Sequence, residues 1–306
     1  MAEFATTSPV GRRCILNRMK PRRSHRKGSD HPGGIKAAED ISARVDELSV
    51  EIERTAYRQR LETFFASREA GQSLTADSLK RGIRLQAVVG AAADVAQFAD
   101  EAIAIVHEEY RPRLHCQEGC HYCCCKPGVL ASIPELLRIL ARIHSTFSEV
   151  DVIALGERAT RYGAQVAGTN FNDLVDESVP CPLLVDGRCS VYEVRPLVCR
   201  GYNSTDVDAC RKAHSDRTAR VPIFAMLKDV TDGATVGSAQ SLKAAGFNDS
   251  LVDLGTALQL TLAGGESFSQ AIIEDGAVLA LAENSSWVTE LWNEVQETAR
   301  QVGFNP

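Results

Sequence analysis

The residues with the clearest chemical potential in this sequence are cysteines. Nine of the ten cysteines fall within residues 116–210, and the run HCQEGCHYCCC crowds several of them together. Close thiolates repel one another unless a cation or protons neutralise them. In a chain with no export signal, such clusters are typical ligands of zinc or of an iron-sulfur cluster. The spacing therefore predicts a metal-binding site.

A second segment, CPLLVDGRCSVYEVRPLVCRGY, supplies three further cysteines, and one more, Cys210, lies eleven residues after the last of them. Apart from Cys125, the clustered cysteines number eight, enough for two four-thiolate sites or for one site with spare thiols. Adjacent residues Cys123 and Cys124 point in different directions in regular structure, so we expect them to serve two centres or a cluster with several metal atoms. The candidate metal ligands are Cys116, Cys120, Cys123, Cys124, Cys181, Cys189, Cys199 and Cys210.

Other residues beside these cysteines have two interpretations each. His115 and His121 could complete a mixed Cys/His site, because imidazole is a common zinc ligand, or they could be exposed or hydrogen-bonded to sulfur. Cys125 makes a third consecutive thiol, for which packing is a plainer role than ligation. Arg195 and Arg200 bracket the last cysteine of the second segment, where they could donate to thiolate sulfur, or Arg195 could simply fix the turn before a proline.

The spacing CxxxCxxC within the first run resembles the cluster-binding loop of radical S-adenosylmethionine enzymes, and GGES at 264–267 resembles their methionine-binding glycine motif. Those enzymes carry the loop after the first strand of a repeating βα barrel. Here helical patterns precede and follow the cysteines, so a loop between helices is the plainer interpretation of GGES. A radical S-adenosylmethionine enzyme is thus an alternative that the helical context disfavours.

The elements that must position the cysteines are mostly helices. Apolar residues recur at spacings of three and four from Ile41 to Phe65, which predicts an amphipathic helix that Gly71 interrupts. A second helix is predicted over about 76–110, and Arg111-Pro112 ends it because a residue before proline disfavours helical geometry.

Helical signals continue beyond the first cysteine run. Ser132 and Glu135, with a proline between them, form a predicted capping box that opens a helix, and another helix is predicted over Glu149 to Val166. A short strand is predicted near 183–185, and further short helices over 238–300. We therefore predict a mostly α protein with a loop-rich cysteine metal-binding module in the middle.

Composition divides the chain into four segments. Residues 1–36 hold nine Lys or Arg against two acidic residues and show almost no apolar periodicity. We predict that 1–35 is a disordered basic tail, either simply solvated or able to touch RNA or a membrane surface. Residues 36–112 are predicted as N-terminal helices, 113–215 as the cysteine-cluster metal-binding module and 216–306 as C-terminal helices.

Composition also constrains compartment and partners. With 44% hydrophobic residues the chain can bury a core without disulfides. It contains no apolar run of about 18 residues and no secretory signal, so we expect a cytoplasmic protein with no membrane partner. Clustered cysteines in that reducing compartment usually bind metal or do redox work. The net charge of −6, despite the basic tail, makes the body acidic and disfavours nucleic acid as its partner.

The combined pattern, CxxxCxxCC followed by CPxLxxGxCxVYxxRPxxCRxY, resembles the YkgJ-type cysteine-cluster family, described as zinc- or iron-chelating proteins. Here it occupies about residues 113–212, with Pro182, Gly187, Tyr192 and Pro196 among its non-cysteine positions. The resemblance implies a compact metal-binding module with zinc or iron as its cofactor and no uniform activity, and the number of thiolates leaves an iron-sulfur cluster open. The third consecutive thiol departs from the pattern and leaves the assignment of ligands within the first run open.

The leading interpretation is a metal-binding protein that holds zinc or iron through clustered thiolates. The flagellin lysine methylases have a similar cysteine pattern, so an enzyme that modifies a protein or peptide side chain is an alternative. A third interpretation is a metal-handling protein that passes an ion to a partner. The expected partner class is a protein or peptide, and the sequence identifies no catalytic residue.

Overall fold

A computed structural model describes residues 38–80, 82, 84–167, 178–216, 219–264, 286–301 and 303–304. The described chain is mostly α-helical with a few very short strands, which confirms the predicted fold class. The predicted basic tail and most of the GGES segment lie outside the described residues.

The α-helices are α1 (Ala38–Leu79), α2 (Leu85–Tyr110), α3 (Ile133–Thr146), α4 (Glu149–Val166), α5 (Leu197–Gly201), α6 (Val207–Ser215), α7 (Ala225–Ala244), α8 (Leu254–Gly264) and α9 (Ser286–Gln301). The strands are β1 (Leu130–Ser132), β2 (Leu184–Val185), β3 (Arg188–Cys189) and β4 (Leu251–Asp253), and two 3-10 helices cover Tyr122–Cys125 and Tyr192–Val194.

The predicted interruption at Gly71 is wrong. Helix α1 runs through Gly71 to Leu79, and α2 begins only at Leu85. The glycine is explained by packing, because a Cβ at this position would lie 2.3 Å from the carbonyl oxygen of Ala234 in α7. Glycine within a helix costs roughly 0.5–1 kcal/mol relative to alanine, and the close approach of the two helices offsets that cost.

Helix α7 packs along the second half of α1. At Gly237 of α7 a Cβ would lie 1.9 Å from the carbonyl oxygen of Arg68 in α1. Closer to the N-terminal end of this contact, Arg60 of α1 donates from Nε and Nη2 to the two carboxylate oxygens of Asp229 in α7, at 2.7 and 2.9 Å. Small residues and this bidentate ion pair together fix how the two helices align.

Three helix boundaries predicted from local signals are confirmed. Helix α2 ends at Tyr110, and Arg111 adopts the left-handed conformation with a φ of 46°. The capping box of α3 forms, because the Ser132 N–H and Oγ each donate to Glu135 Oε2 at 2.8 Å. Helix α4 has the predicted bounds, Glu149–Val166.

The apolar core has two main parts. One lies among α1, α2 and α7, and the other lies among α3, α4, β4 and α8. The first is represented by Leu74, Val95, Phe98, Val230 and Ala234, and the second by Leu136, Ile139, Leu155, Val252 and Leu258. Cys181 and Cys189 pack against the second part, and Leu197, two residues before Cys199, belongs to the first.

One pair of strands was not predicted. Strands β1 and β4 are antiparallel, with Ala131 opposite Val252 in the register. Each strand has three residues, too few to show an alternating pattern, so their pairing is visible only in the fold. The strand β2 confirms the short strand predicted near 183–185.

Within the described part of the chain, no helix combines the length and the apolar character needed to cross a membrane.

The division of the chain into a tail, N-terminal helices, a cysteine module and C-terminal helices stays a prediction.

Candidate metal centre

The candidate ligands lie on short elements flanked by the long helices. The first run, residues 116–125, follows α2 through an extended loop and ends in the 3-10 helix Tyr122–Cys125. The second segment, residues 181–199, forms the β2–β3 hairpin, a 3-10 turn and part of α5, while Cys210 lies in α6. Such short elements are only marginally stable on their own, so contacts between them must fix their positions.

Hydrogen bonds join the first run to the later cysteine-bearing stretches. The Cys181 N–H donates to the Cys124 carbonyl oxygen at 2.8 Å. The His115 N–H donates to the carbonyl oxygen of Ser204 at 2.8 Å, and the Ser204 N–H donates to Cys116 Sγ at 3.0 Å. The fold therefore brings together cysteines that are far apart in sequence.

The β2–β3 hairpin places two sulfurs beside backbone donors. At its turn Gly187 has a φ of 75°, the kind of conformation that a tight hairpin needs. The backbone of Leu183 lowers the pKa of Cys181, and the backbone of Val191 lowers the pKa of Cys189. Both effects favour the thiolate, which is the form that binds metal.

Cys181, Cys189 and Cys199 lie within electrostatic reach of one another. Burial raises the pKa of Cys181 to about 12 and the pKa of Cys199 well above its ordinary value, and neighbouring thiolates raise both further. Burial also raises the pKa of Cys189, although the nearby Arg195 guanidinium lowers it. These groups are therefore protonated at neutral pH without metal, and a bound cation would replace their protons.

Cys116 and Cys210 lie beside Ser204, and Cys120 lies within electrostatic reach of both. Burial raises the pKa of Cys116 and of Cys210, and the charges of Cys120 and Cys123 raise both as well. The Ser204 N–H binds the sulfur of Cys116, and the Ser204 side chain lies beside the sulfur of Cys210. One buried serine thus contacts two thiols that different elements supply.

Cys123 and Cys124 are adjacent in the first run. A hydrogen bond with the Cys124 thiol, followed by burial, raises the pKa of Cys123 far above its usual range. The Cys123 side chain nevertheless keeps a solvent-exposed edge. The charge of Cys123 raises the pKa of both Cys116 and Cys199. The expectation that the adjacent pair serves two centres stays a prediction, and this placement is compatible with it.

The thiols lie in one region of the structure, but they are not arranged as a complete coordination sphere. Among the side chains that the structure describes, no three His, Cys, Asp or Glu groups are close enough to hold one ion together. The predicted set of eight ligands therefore stays a prediction. The donors present fit zinc or iron in kind, because they are soft thiols, one of which accepts a backbone N–H.

The residues that had two interpretations have contacts of their own. His115 Nδ1 accepts the Val207 N–H at 3.1 Å, so one ring nitrogen already has a structural partner. His121 stacks on Tyr122 with ring centroids 5.1 Å apart. Cys125 is only 7% exposed. These contacts favour positioning and packing for all three side chains.

Arg200 binds oxygen atoms rather than the sulfur that the sequence suggested. Its side chain is 2% exposed, and Nη1 donates to both carboxylate oxygens of Asp100 in α2. Nε and Nη2 donate to the carbonyl oxygens of Arg195 and Glu193. Arg200 therefore fixes the chain around Cys199 to α2.

Glu135 and Tyr162 also position the site. Glu135 Oε1 accepts the Leu197 N–H at 2.6 Å, in addition to the capping box formed by Oε2. The Tyr162 hydroxyl donates to Asp253 at 2.8 Å and accepts the Gly128 N–H at 3.2 Å. The capping signal could identify Glu135, but its second partner is distant in sequence, and no local pattern marks Tyr162.

Comparison with known proteins gives a family match for the central part of the chain. Residues 115–220 match the model of the CxxCxxCC family, described as a "putative zinc- or iron-chelating domain". This match confirms the resemblance that the cysteine pattern indicated, and it supports metal binding by this segment. No curated protein and no solved structure gives a significant match to the chain.

Proposed function

We propose that this protein binds zinc or iron through cysteine thiolates of the module, with an iron-sulfur cluster as one form that iron could take. The ligands would come from Cys116, Cys120, Cys123, Cys124, Cys181, Cys189, Cys199 and Cys210. The observation that carries the proposal is the direct contact between distant cysteine-bearing stretches, above all the Cys181–Cys124 and Ser204–Cys116 hydrogen bonds.

The chain's own residues would prepare the site in three ways. The Ser204 N–H, which is directed at the sulfur of Cys116, would stabilise a thiolate there. The buried Arg200 and Glu135 would hold the second segment against the helices. The metal would neutralise thiolate charge and join stretches of chain that have little core of their own. Reduced thiols suit a reducing compartment, which is why we propose the cytoplasm.

The alternative of an enzyme that modifies a protein or peptide side chain stays a prediction. Two clefts are found on the described surface, one beside Gln72 and Ser241 and the other beside Glu51 and Gln301. Neither is lined by a cysteine. The cysteine-bearing stretches are joined by direct hydrogen bonds, so we keep metal binding as the leading proposal.

Anaerobic purification with metal analysis and an optical spectrum on the same sample tests the proposal. Colourless protein with about one or two zinc ions per chain is the outcome expected for four thiolates per ion. Iron with stoichiometric sulfide and visible absorption would assign a cluster instead. Metal-free protein that also takes up neither zinc nor iron on anaerobic reconstitution would contradict the proposal.

Single substitutions provide the matched test. Cys120→Ser and Cys199→Ser each remove a proposed thiolate, so both should bind less metal and lose helical signal in circular dichroism. Cys14→Ser, which removes the one cysteine outside the cluster, should change neither quantity. Equal metal content and equal stability in all three variants would rule out the proposed ligands.

A further inference from the structure

Helix α1 extends beyond the helix that packs along it. Contacts with α7 join a residue of α1 to the residue 169 positions later at Arg60, Phe64, Arg68 and Gln72. The two helices are therefore parallel, and the start of α7 at Ala225 is level with Ala56 of α1. Because α1 begins at Ala38, residues 38–55 continue for about five turns, or about 27 Å, past the start of α7. We call residues 38–55 the α1 extension.

The α1 extension has an apolar stripe that α7 does not cover. Ile41, Val45, Leu48 and Ile52 recur at spacings of four, three and four, so they lie on one face of the helix. At about 100° per residue, this face is rotated by roughly 140° from the face that contacts α7. Residues 51–56 are all exposed, and Ile52 is 67% exposed. A continuous apolar stripe on an exposed helix indicates a contact surface.

We infer that two copies of this chain associate through their α1 extensions, which pair antiparallel around a two-fold axis. The stripe is complementary to itself in this arrangement. Val45 faces Leu48 of the second copy, and Ile41 faces Ile52 of the second copy, each contact occurring twice by symmetry. All four apolar positions of each copy are then used, which is why the occupant of this surface is a second copy.

The charged positions beside the stripe select the antiparallel orientation. Arg44 and Glu51 each come directly before an apolar position of the stripe. In an antiparallel pair these positions flank the contact on the same side, so Arg44 of each copy faces Glu51 of the other. In a parallel pair Arg44 would lie opposite Ser49 and Glu51 opposite Ala56, with no opposite charge to meet. The charges are therefore complementary in one orientation only.

The length of the α1 extension fits the same axis. The axis that pairs the apolar positions sets Ala38 of one copy level with Thr55 of the other, one residue before α7 begins alongside. The two helical bodies thus lie at opposite ends of the contact. The second half of α1 already holds the helix on the body, so association does not carry the full cost of helix nucleation. Two heptads bury less than a standard interface of about 1,600 Å², so we expect a dissociation constant on the order of 10 to 100 µM.

Sedimentation velocity of the reduced full chain tests the inference. The weight-average mass should rise from that of one chain toward that of two as the concentration increases from about 1 µM to about 200 µM. A mass of one chain over the whole range would overturn the inference.

Substitution of the exposed isoleucine locates the contact. Ile52→Glu should weaken association by at least about tenfold, because a carboxylate would be placed in the apolar stripe. Ile153→Glu in α4 is the matched control, since Ile153 is 64% exposed and lies on another helix. Both variants should keep the circular dichroism spectrum and melting temperature of the monomer. Equal association of the two variants would show that the α1 extension is not the contact.

Charge reversal tests the orientation. Glu51→Arg should weaken association by about threefold or more, because it places an arginine opposite Arg44 of the second copy, and the loss should shrink at high salt. The double variant Arg44→Glu with Glu51→Arg should recover the original association. Dimers that tolerate Glu51→Arg unchanged, or a double variant that fails to recover, would overturn the antiparallel pairing.

Discussion

The helical body and the cysteine module are built in different ways. In the body, formed by α1, α2 and α7, long helices bury apolar side chains against one another, and Gly71 and Gly237 bring two helix backbones close together. In the module the elements that carry the cysteines are short, and α6 contains no buried residue. The module is attached by hydrogen bonds, such as the one from the Cys181 N–H to the Cys124 carbonyl oxygen, and by a few buried side chains such as Leu183 and Leu197.

This contrast indicates where stability comes from in each region. Apolar burial contributes roughly 25 cal/mol per Å², so long packed helices can maintain their own structure. A loop-rich segment with little core usually needs an added cross-link, which disulfides or a metal supply. The cysteine-bearing loops fit the second case, and the following predictions separate the two regions experimentally.

Complete removal of metal should produce the largest difference. With the thiolates no longer neutralised, the cysteine-bearing segments should lose order, and amide hydrogen exchange within 178–216 should accelerate by about two orders of magnitude or more. Exchange in the described parts of α1 and α7 should change by less than about threefold, because their packing involves no cysteine. Acceleration spread equally over both regions would contradict the division, and reloading zinc provides the control for damage during chelation.

The converse experiment disturbs the body and leaves the module alone. Gly237→Ala places a Cβ at 1.9 Å from the Arg68 carbonyl oxygen, so α1 and α7 must move apart. We expect a loss of about 3 kcal/mol or more in the free energy of unfolding, measured by urea denaturation. Metal content of the folded fraction should stay unchanged.

Gly90→Ala in α2 is the matched control for that substitution. Nothing lies within 4 Å of the added Cβ, so the exchange of a helical glycine for alanine should raise stability by about 0.5–1 kcal/mol. If both alanine variants behaved alike, close packing of α1 and α7 would not explain the glycines.

Arg200 joins the two regions, and its loss should affect both. Arg200→Met removes the donors to Asp100 and to two carbonyl oxygens. We expect a loss of about 2–3 kcal/mol in stability, below the range for a fully buried pair because Asp100 is half exposed. Zinc affinity measured by chelator competition should fall as well, since the substitution frees the chain around Cys199.

Arg142, an arginine on the surface, provides the control for the Arg200 substitution. Arg142 pairs with Glu193 at 3.1 Å, but both side chains are largely exposed. Arg142→Met should therefore change stability by less than about 1 kcal/mol and leave zinc affinity intact. A similar loss in both variants would mean that the buried contacts of Arg200 contribute no more than an exposed ion pair.

Sequence predictions were correct where the signal lies within a few residues of the feature it predicts. They were wrong or absent where the feature depends on a residue far away in the sequence. The end of α2 at Tyr110 and the start of α3 at its Ser132–Glu135 capping box were correct, because proline and capping residues act within a few positions. The break at Gly71 was wrong because the partner that requires a glycine, Ala234, lies in another helix. The β1–β4 pairing was missed for the same reason.

The candidate site shows the same limit. Cysteine type and spacing identified the region that matches the family model. They could not show which thiols lie together, because that depends on contacts such as Ser204 with Cys116 and Glu135 with Leu197. Arg200 could be selected from its position beside Cys199, but its partner Asp100 in α2 has no sequence signal that connects the two.

The smallest effect is expected at Tyr162, where the helical layer contacts the loop after the first cysteine run. Tyr162→Phe leaves the Gly128 N–H without its acceptor and removes a donor to Asp253, whose other oxygen still binds Thr256. We expect a loss of about 1–2 kcal/mol in the free energy of unfolding, with zinc content unchanged. Tyr192→Phe, at a ring that is 38% exposed, should shift stability by less than about 0.5 kcal/mol. Equal stability of the two variants would show that the Tyr162 hydroxyl does not connect the loop to the helices.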